Sequence, residues 1–243
     1  MNAVAWPLIL TLIGVMSLSA CSGPRGLNRQ ILQESFHDHP DVVTDRDIAA
    51  TMATQASLPS PYRLAVYFKQ EDFPSRPALQ RVDWTSADAE RVRQALASVS
   101  EEGLLQRNFL LANSTVQGNT LRDVRMAAAR YNADAILVIN GASAVERYNN
   151  GHAVWYATGI GAYFAYGTES HALFMVEGTL WDVRTGALYG TQTAEGETTL
   201  IGPAPSIDDK TAVAEAKDVA LERFGKELAD MLRELKEKQK AMP

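Results

Sequence analysis

Cys21 is the residue whose type and position point most directly to chemistry, because it is the single cysteine of the 243-residue chain. It follows Leu18, Ser19 and Ala20, and the apolar run at residues 6–16 before them carries no charged side chain. A short apolar run that ends in small residues is typical of an export signal rather than of a folded element. The run is shorter than the roughly 20 apolar residues that a bilayer span needs. The segment before it lacks Lys and Arg, which departs from the usual signal pattern.

Residues 18–21, Leu-Ser-Ala-Cys, resemble the lipobox of bacterial lipoproteins. The resemblance implies a signal peptide at residues 1–20, cleavage before Cys21, a diacylglycerol on its thiol, and a fatty acid such as palmitate on its new amine. Ser22 stands where Asp would favour the inner membrane, so the resemblance implies the outer membrane, with the folded part on the periplasmic face. An uncleaved membrane anchor and a small buried cysteine are the alternatives.

Four histidines are the other side chains suited to metal or proton chemistry. His37 and His39 would point the same way in an extended chain, but no third metal ligand accompanies them, so a solvated tether is the preferred interpretation. His152 and His171 flank an aromatic segment and could make it sensitive to pH. No phosphate-binding loop and no nucleophile with an arranged base is evident in the sequence. We therefore expect no enzyme activity, no cofactor and no metal.

Residues 151–170 form an aromatic segment with four glycines and neither Lys nor Arg. Aromatic side chains contribute much of the binding energy at protein interfaces. The segment has three interpretations: a loop that completes the core, a loop that docks on a partner, or a loop that inserts into the membrane. The candidate partner-binding residues are Trp155, Tyr156, Tyr163, Phe164 and Tyr166.

The composition excludes several classes of function. The formal net charge of −6 disfavours nonspecific nucleic-acid binding, which needs a basic face. The lack of a second cysteine excludes an internal disulfide and thiolate metal sites. We expect three parts: the signal peptide at residues 1–20, a lipidated tether and irregular connecting segment at 21–61, and a periplasmic α/β domain at 62–240.

The first half of the predicted domain reads as strand, helix, strand, helix, strand. The strands are predicted at residues 63–68, 109–112 and 133–140, and the last of them is apolar enough to be a central strand covered on both faces. The first helix begins at Thr85 or Ser86, with Asp88 as a capping partner for Thr85, and ends at Gly103. The second begins at Thr120, with Asp123 as its capping partner. Its apolar residues continue at helical spacing as far as Tyr131, and it ends at Asn132 in a left-handed conformation.

The second half changes to an antiparallel pattern. Residues 173–183 and 191–199 predict a hairpin whose tight turn needs a positive φ at Gly186. Residues from about 210 to 239 carry an apolar stripe at helical spacing, which predicts a long amphipathic helix. The predicted fold class is therefore α/β (α+β), with a small mixed sheet, an antiparallel hairpin and a long C-terminal helix.

This arrangement resembles the small α/β domain of envelope lipoproteins such as the curli secretion lipoprotein CsgG, the penicillin-binding-protein activator LpoB and the amino-terminal domain of TolB. The residues that carry the likeness are 63–68, 131–141 and 177–195. Residues 156–168 and 178–186 also resemble rhombotarget-type lipoproteins. The resemblance implies a non-catalytic binding or assembly accessory, attached to the membrane through Cys21, with an envelope protein partner. A homo-oligomeric secretion component and a cell-wall or lipid-modifying enzyme are the alternatives.

Overall fold

The computed structural model describes residues 24, 26–36, 44–54, 58–70 and 79–241. The predicted lipidation residue Cys21, its neighbour Ser22 and the histidine pair at 37 and 39 lie outside the described residues. Within the ranges described, no helix is both long and apolar enough to span a bilayer.

The described strands form one mixed sheet. Its order is β3-β1-β4-β5-β6, and a short strand β2 also pairs with β4. The bounds of the strands are Tyr62–Phe68 (β1), Leu79–Gln80 (β2), Leu105–Leu110 (β3), Ala135–Asn149 (β4), Thr168–Asp182 (β5) and Leu188–Gly202 (β6).

Helices cover both faces of this sheet. The α-helices are Arg29–Ser35 (α1), Asp45–Met52 (α2), Ser86–Glu101 (α3), Leu121–Arg130 (α4), Gly161–Phe164 (α5) and Asp209–Ala241 (α6), and 3-10 turns span Asn113–Thr115, Gly151–Thr158 and Ala204–Ser206. The predicted fold class is confirmed: a mixed sheet with a long C-terminal helix.

Strand β4 organises the sheet because it has neighbours along its whole length. Its first residues pair in parallel with β1, and Ala144 farther along pairs in antiparallel with Leu79 of β2. On its other side β4 pairs with β5 from Ala135 to Asn149. The strand is therefore buried from Ala135 to Ala144 in the middle of the sheet, and the apolar sequence of its first residues predicts this position.

Helices α3 and α6 pack on one face of the sheet and form the main core. Phe224 of α6 and Phe174 of β5 are completely buried there, and Trp84 packs edge-on against the Phe174 ring. The stripe predicted for the long helix is buried from Ala216 to Leu232. Burial of this stripe, rather than helix propensity alone, stabilises so long a helix.

Helices α4 and α1 cover the opposite face. Val124 and Ala128 of α4 pack on Ile136 and neighbouring residues of the sheet. Leu32 of α1 is completely buried and belongs to a separate cluster with β4 and β5 residues. Helix α1 lies within the range predicted as tether, and it is packed against the sheet as part of the folded body.

Local signals in the sequence set the ends of several elements. Thr85 with Asp88 and Thr120 with Asp123 form capping boxes at the starts of α3 and α4, as predicted. Asn132 has a φ of 56° and Gly186 a φ of 78°, which confirms the left-handed helix end and the tight turn.

Three details of the prediction are wrong. Strand β3 begins at Leu105 rather than at residue 109, because its polar side chains lie on the sheet edge and leave no apolar run. Strand β4 ends at Asn149 rather than at the predicted residue 140, and strand β5 begins at Thr168 rather than at the predicted residue 173. Small residues such as Ala142 pair in these strands as readily as large ones. Tyr131, whose helical spacing places it with the buried Val124 and Ala128, is 49% exposed and stacks on Phe109.

Candidate functional site

The β4–β5 hairpin carries the predicted aromatic segment at its far end. The two strands stay in register over fifteen residues each, up to the pair Asn149 and Thr168. Residues 150–167, called here the tip segment, connect them through a 3-10 turn and the short helix α5. The regular hairpin thus holds the segment at one end of the molecule.

Asn150 closes the base of the tip segment. Its side-chain oxygen accepts a hydrogen bond from the backbone N–H of His152 at 2.9 Å. Its amide nitrogen donates to the carbonyl oxygen of Tyr166 at 3.0 Å and to a carboxylate oxygen of Glu169 at 2.8 Å. One residue therefore joins the beginning of the segment to its end, which fixes the loop as a compact unit.

Glu169 places an acidic side chain at the base of the segment. It accepts hydrogen bonds from Asn150 and from the Tyr148 hydroxyl at 2.8 Å, and these bonds, Asn150 first, hold the pKa of Glu169 below its ordinary value. The hydrogen bond to Glu169 in turn raises the pKa of Tyr148. The carboxylate is ionised at neutral pH, and its oxygens already accept the hydrogen bonds from Asn150 and Tyr148.

Tyr156 anchors the interior of the tip segment. Its hydroxyl lies 2.9 Å from the Thr168 hydroxyl, and its ring passes close to Gly167. A Cβ at Gly167 would lie only 2.7 Å from the backbone nitrogen of Ala153, so this close approach requires glycine. Tyr156 is half-buried and therefore contributes mainly to the structure of the segment.

The other aromatic residues of the segment point into solvent. Phe164 is 77% exposed and Trp155 60% exposed. No Asp, Glu, Lys or Arg occurs from residue 150 to residue 168, so these side chains form an uncharged surface. Solitary exposed apolar residues are ordinary, whereas several of them within one short segment make that segment a candidate contact site. This surface, called here the aromatic tip, consists of Val154, Trp155, Ile160, Tyr163, Phe164 and Tyr166.

The structure brings together the predicted candidate residues in one segment. Trp155, Tyr163, Phe164 and Tyr166 all lie on the aromatic tip, and Tyr156 lies beneath it. The interpretation in which these aromatic residues complete the core is wrong for the four exposed ones. Val154 and Ile160 also belong to the surface; their position in the same uncharged stretch was the signal that could have identified them.

The two flanking histidines occupy different environments. His152 is exposed in the first turn of the tip segment, while Nε2 of half-buried His171 lies 3.6 Å from a carboxylate oxygen of Glu197. Among the described residues, no group of His, Cys, Asp or Glu is arranged to hold a metal ion.

Two concavities of the described surface lack the features of a ligand-binding site. A groove of about 800 Å³ between α3 and α6 is lined by charges already paired, such as Arg91 with Asp218 at 2.9 Å and Arg233 with Glu102 at 2.7 Å. A cavity of about 130 Å³ beside Asn140 is smaller than the roughly 300 Å³ at which ligand pockets begin. Neither of these two concavities is therefore a stronger candidate than the aromatic tip.

Comparison with known proteins yields distant structural similarities. No protein-family model matches the chain, and no curated protein matches it. The PelC dodecamer of Paraburkholderia phytofirmans is 16% identical, with a TM-score of 0.32 and coverage of 73% of this chain and 91% of that one. The LpoB C-terminal domain of Salmonella enterica is 12% identical, with a TM-score of 0.30 and coverage of 61% and 90%. The rare lipoprotein B of Shewanella oneidensis is 14% identical, with a TM-score of 0.28 and coverage of 73% and 96%.

These similarities do not assign the chain to a family. The structural neighbours include bacterial envelope lipoproteins, and LpoB is one of the proteins that the sequence resembles. The finer resemblance to the curli secretion lipoprotein, to TolB and to rhombotarget-type lipoproteins stays a prediction.

Proposed function

We propose that this protein is a lipid-anchored, non-catalytic accessory of the bacterial envelope, held on the periplasmic face of the outer membrane. Cys21 carries the lipid, and the folded body contacts another envelope component through its aromatic tip. The contact residues are Trp155, Tyr163, Phe164 and Tyr166, supported from below by Tyr156.

The anchor rests on the sequence around Cys21. Each buried methylene group contributes about 0.8 kcal/mol of membrane affinity, and a single acyl chain gives only reversible binding. A diacylglycerol together with an amide-linked acyl chain would hold the protein permanently. Ser22 after the cysteine supports the outer membrane as the destination.

The observation that carries the contact role is the uncharged, exposed aromatic tip. Trp and Tyr are enriched among the residues that dominate binding energy, because they bury a large area with few rotatable bonds. Phe164 and Trp155 are mostly exposed, although the loop beneath them is tightly hydrogen-bonded. A fixed loop that displays apolar rings is pre-organised for contact, so little conformational entropy is lost on binding.

Tethering is the proposed mechanism. A lipid confines the folded body to a thin layer beside the membrane, which raises its effective concentration for components of that layer. Even a weak contact at the aromatic tip then becomes highly populated. No catalytic step is needed for this role.

Mass spectrometry of the protein purified from a Gram-negative host tests the anchor. We expect an N-terminal peptide that begins at Cys21 and carries a diacylglycerol and an amide-linked fatty acid. The Cys21→Ala variant should leave the membrane fraction. An unmodified thiol at Cys21, or a mature chain that retains residues 1–20, would refute the proposal.

Photo-crosslinking in intact cells tests the contact role of the aromatic tip. A photoreactive residue at position 155 or 163 should form adducts with another envelope component. The same residue at position 126, where Met126 is exposed on α4, provides the control. Adducts from position 126 without any from 155 or 163 would contradict the contact role, and adducts between two copies of the chain would indicate a homo-oligomer.

A further inference from the structure

The N-terminal part of the chain runs along β4 toward the aromatic tip. Phe36, at the end of α1, lines the same small cavity as Val138 and Asn140 of β4. Leu32 packs in the cluster that contains Ala142 and Ala144. These positions progress along the strand as the chain is followed backwards toward its start.

Gly26 continues this course. Its backbone N–H donates a hydrogen bond to a carboxylate oxygen of Glu146 at 2.9 Å. Arg29 fixes the start of α1 by an ion pair with Glu195 at 3.1 Å and by a second with Glu197. The folded chain is therefore held in place up to Gly26, beside the tip-proximal half of β4.

Two distances along the chain relate Gly26 to the aromatic tip and to the lipid on Cys21. Glu146 lies three residues before the end of β4 at Asn149, which corresponds to about 10 Å along the strand. Cys21 precedes Gly26 by five residues, which span at most about 18 Å even when fully extended. The lipid on Cys21 is thus attached to the same end of the molecule as the aromatic tip.

The chemistry of the aromatic tip matches a membrane interface. Trp and Tyr are enriched where lipid headgroups meet the acyl chains, because their rings combine an apolar body with a polar atom. The stretch from residue 150 to residue 168 contains no Asp, Glu, Lys or Arg, so contact with lipid would desolvate no ionised side chain there.

We propose that the aromatic tip rests in the interfacial layer of the same leaflet that holds the acyl chains of Cys21. The proposal rests on lipidation of Cys21 and deepens the proposed function, because it names the lipid of the membrane as the envelope component that the aromatic tip contacts. The protein is then held at two points, by its acyl chains and by its aromatic tip. The strands of the β4–β5 hairpin lie along the membrane normal, and the tip end of the hairpin faces the bilayer.

The short connection also favours lipid over a protein domain as the occupant of this surface. With the strands upright, a link of at most about 18 Å that starts about 10 Å above the hairpin end leaves that end no more than about 8 Å above the anchoring depth of Cys21. A 100-residue domain has a radius of gyration of about 13 Å and is thus roughly 30 Å thick. Such a domain does not fit between the aromatic tip and the bilayer.

A polarity-sensitive fluorophore on the lipidated full-length mature protein tests this orientation. Acylation consumes the thiol of Cys21, so a Tyr163→Cys substitution supplies a single labelling site. Tyr131 provides the matched control, because it is an exposed tyrosine at the opposite end of β4. Labelled Tyr163→Cys and Tyr131→Cys proteins are reconstituted into vesicles of phosphatidylethanolamine with a minority of phosphatidylglycerol.

We expect the probe at position 163 to shift its emission to shorter wavelength and to be quenched by lipids with a spin label near the headgroup. The probe at position 131 should show neither change. Equal, water-like emission at both positions on vesicle-bound protein would overturn the membrane contact while leaving the anchor intact. Energy transfer between copies labelled at position 163, without lipid quenching, would overturn it in favour of a second copy. Failure of the lipidated protein to co-sediment with vesicles would instead refute the proposed anchoring.

Discussion

The carboxylate of Asp182 organises the turn between β5 and β6. One oxygen accepts the backbone N–H groups of Arg184 and Thr185 at 2.8 and 2.7 Å, and the other accepts the Tyr189 hydroxyl at 2.6 Å. Burial alone would raise the pKa of Asp182, but these hydrogen bonds outweigh it and hold the pKa below the ordinary value. Burial and the same carboxylate also raise the pKa of Tyr189.

We predict that Asp182→Asn lowers the free energy of unfolding by about 1–2 kcal/mol at neutral pH, because hydrogen bonds to a charged acceptor are the stronger ones. The folded-state pKa of Asp182 is depressed, so its stabilisation is present above the unfolded-state value of about 3.9 and is lost as the pH falls through the folded value. The difference between the two proteins should therefore shrink below about pH 4. Denaturant unfolding over a pH series measures it.

Asp83→Asn is the control for this prediction. The Asp83 side chain is 90% exposed, and surface substitutions away from special features change stability by less than about 0.5 kcal/mol. A constant difference between Asp182→Asn and the unmodified chain down to the acid transition would contradict the role assigned to the charge.

Residue-scale features were also the most predictable from the sequence. The Thr85 and Thr120 capping boxes, the left-handed Asn132 and the positive φ of Gly186 depend on neighbours within a few positions. The exposure of an aromatic residue, in contrast, depends on residues that are distant in the sequence and pack against it in the fold. That is why the helical spacing of Tyr131 did not reveal its exposure, and why the sequence of the tip segment left three interpretations open.

At the scale of elements, the contact between β6 and α6 depends on glycine. A Cβ at Gly196 would clash with the carbonyl oxygen of Ala216 and would lie 2.6 Å from the backbone nitrogen of Ala220. Backbone atoms in a packed helix cannot move aside individually. Gly196 therefore allows the long helix to lie directly on the strand.

We predict that Gly196→Ala lowers the free energy of unfolding by about 1–3 kcal/mol, the usual cost of overpacking a core. Gly190→Ala on the same strand is the matched control, because its Cβ would meet only the flexible Met231 side chain, with Sδ at 2.9 Å. Its effect should be smaller and could be stabilising, since replacing glycine reduces the entropy of the unfolded chain. Equal destabilisation by the two substitutions, measured by denaturant titration, would refute the specific role of Gly196.

Elements with a strong hydrophobic period were predicted well, and elements with small or polar residues were not. The stripe of α6 and the apolar residues of β4 from Ala135 to Ile139 identify their buried faces. The second half of β4 contains Gly141, Ala142 and Ser143, whose strand conformation follows from pairing with β5 and from cover by α1. Such long-range contacts have no local signature in the sequence.

At the scale of the whole molecule, the aromatic tip and the end of α6 lie far apart. Asp209 at the start of α6 accepts a hydrogen bond from Ser170, next to the tip segment, at 2.6 Å. Gln239 near the other end donates to the carbonyl oxygen of Leu58 at 3.2 Å. The helix rises about 1.5 Å per residue, so it extends along most of the molecule.

We predict that the region around Glu234 stands roughly 40 Å from the membrane surface, the rise of the 25 residues after Asp209. Energy transfer from a probe on exposed Glu234→Cys to acceptor lipids should be weak, and transfer from Tyr163→Cys should be strong. Equal transfer from both positions would indicate a molecule that lies on its side, which contradicts the upright orientation.

The docking of α1 on the sheet also has a mechanical consequence. Under the proposed anchoring through Cys21, a pull between the membrane and the folded body first loads the contacts of Gly26, Arg29 and Leu32, which hold α1 and the residues before it on the sheet. Helix α1 would detach first under load, which would lengthen the connection between Cys21 and the folded body while the sheet stays folded. The protein would then behave as an extensible joint that yields when the envelope is strained.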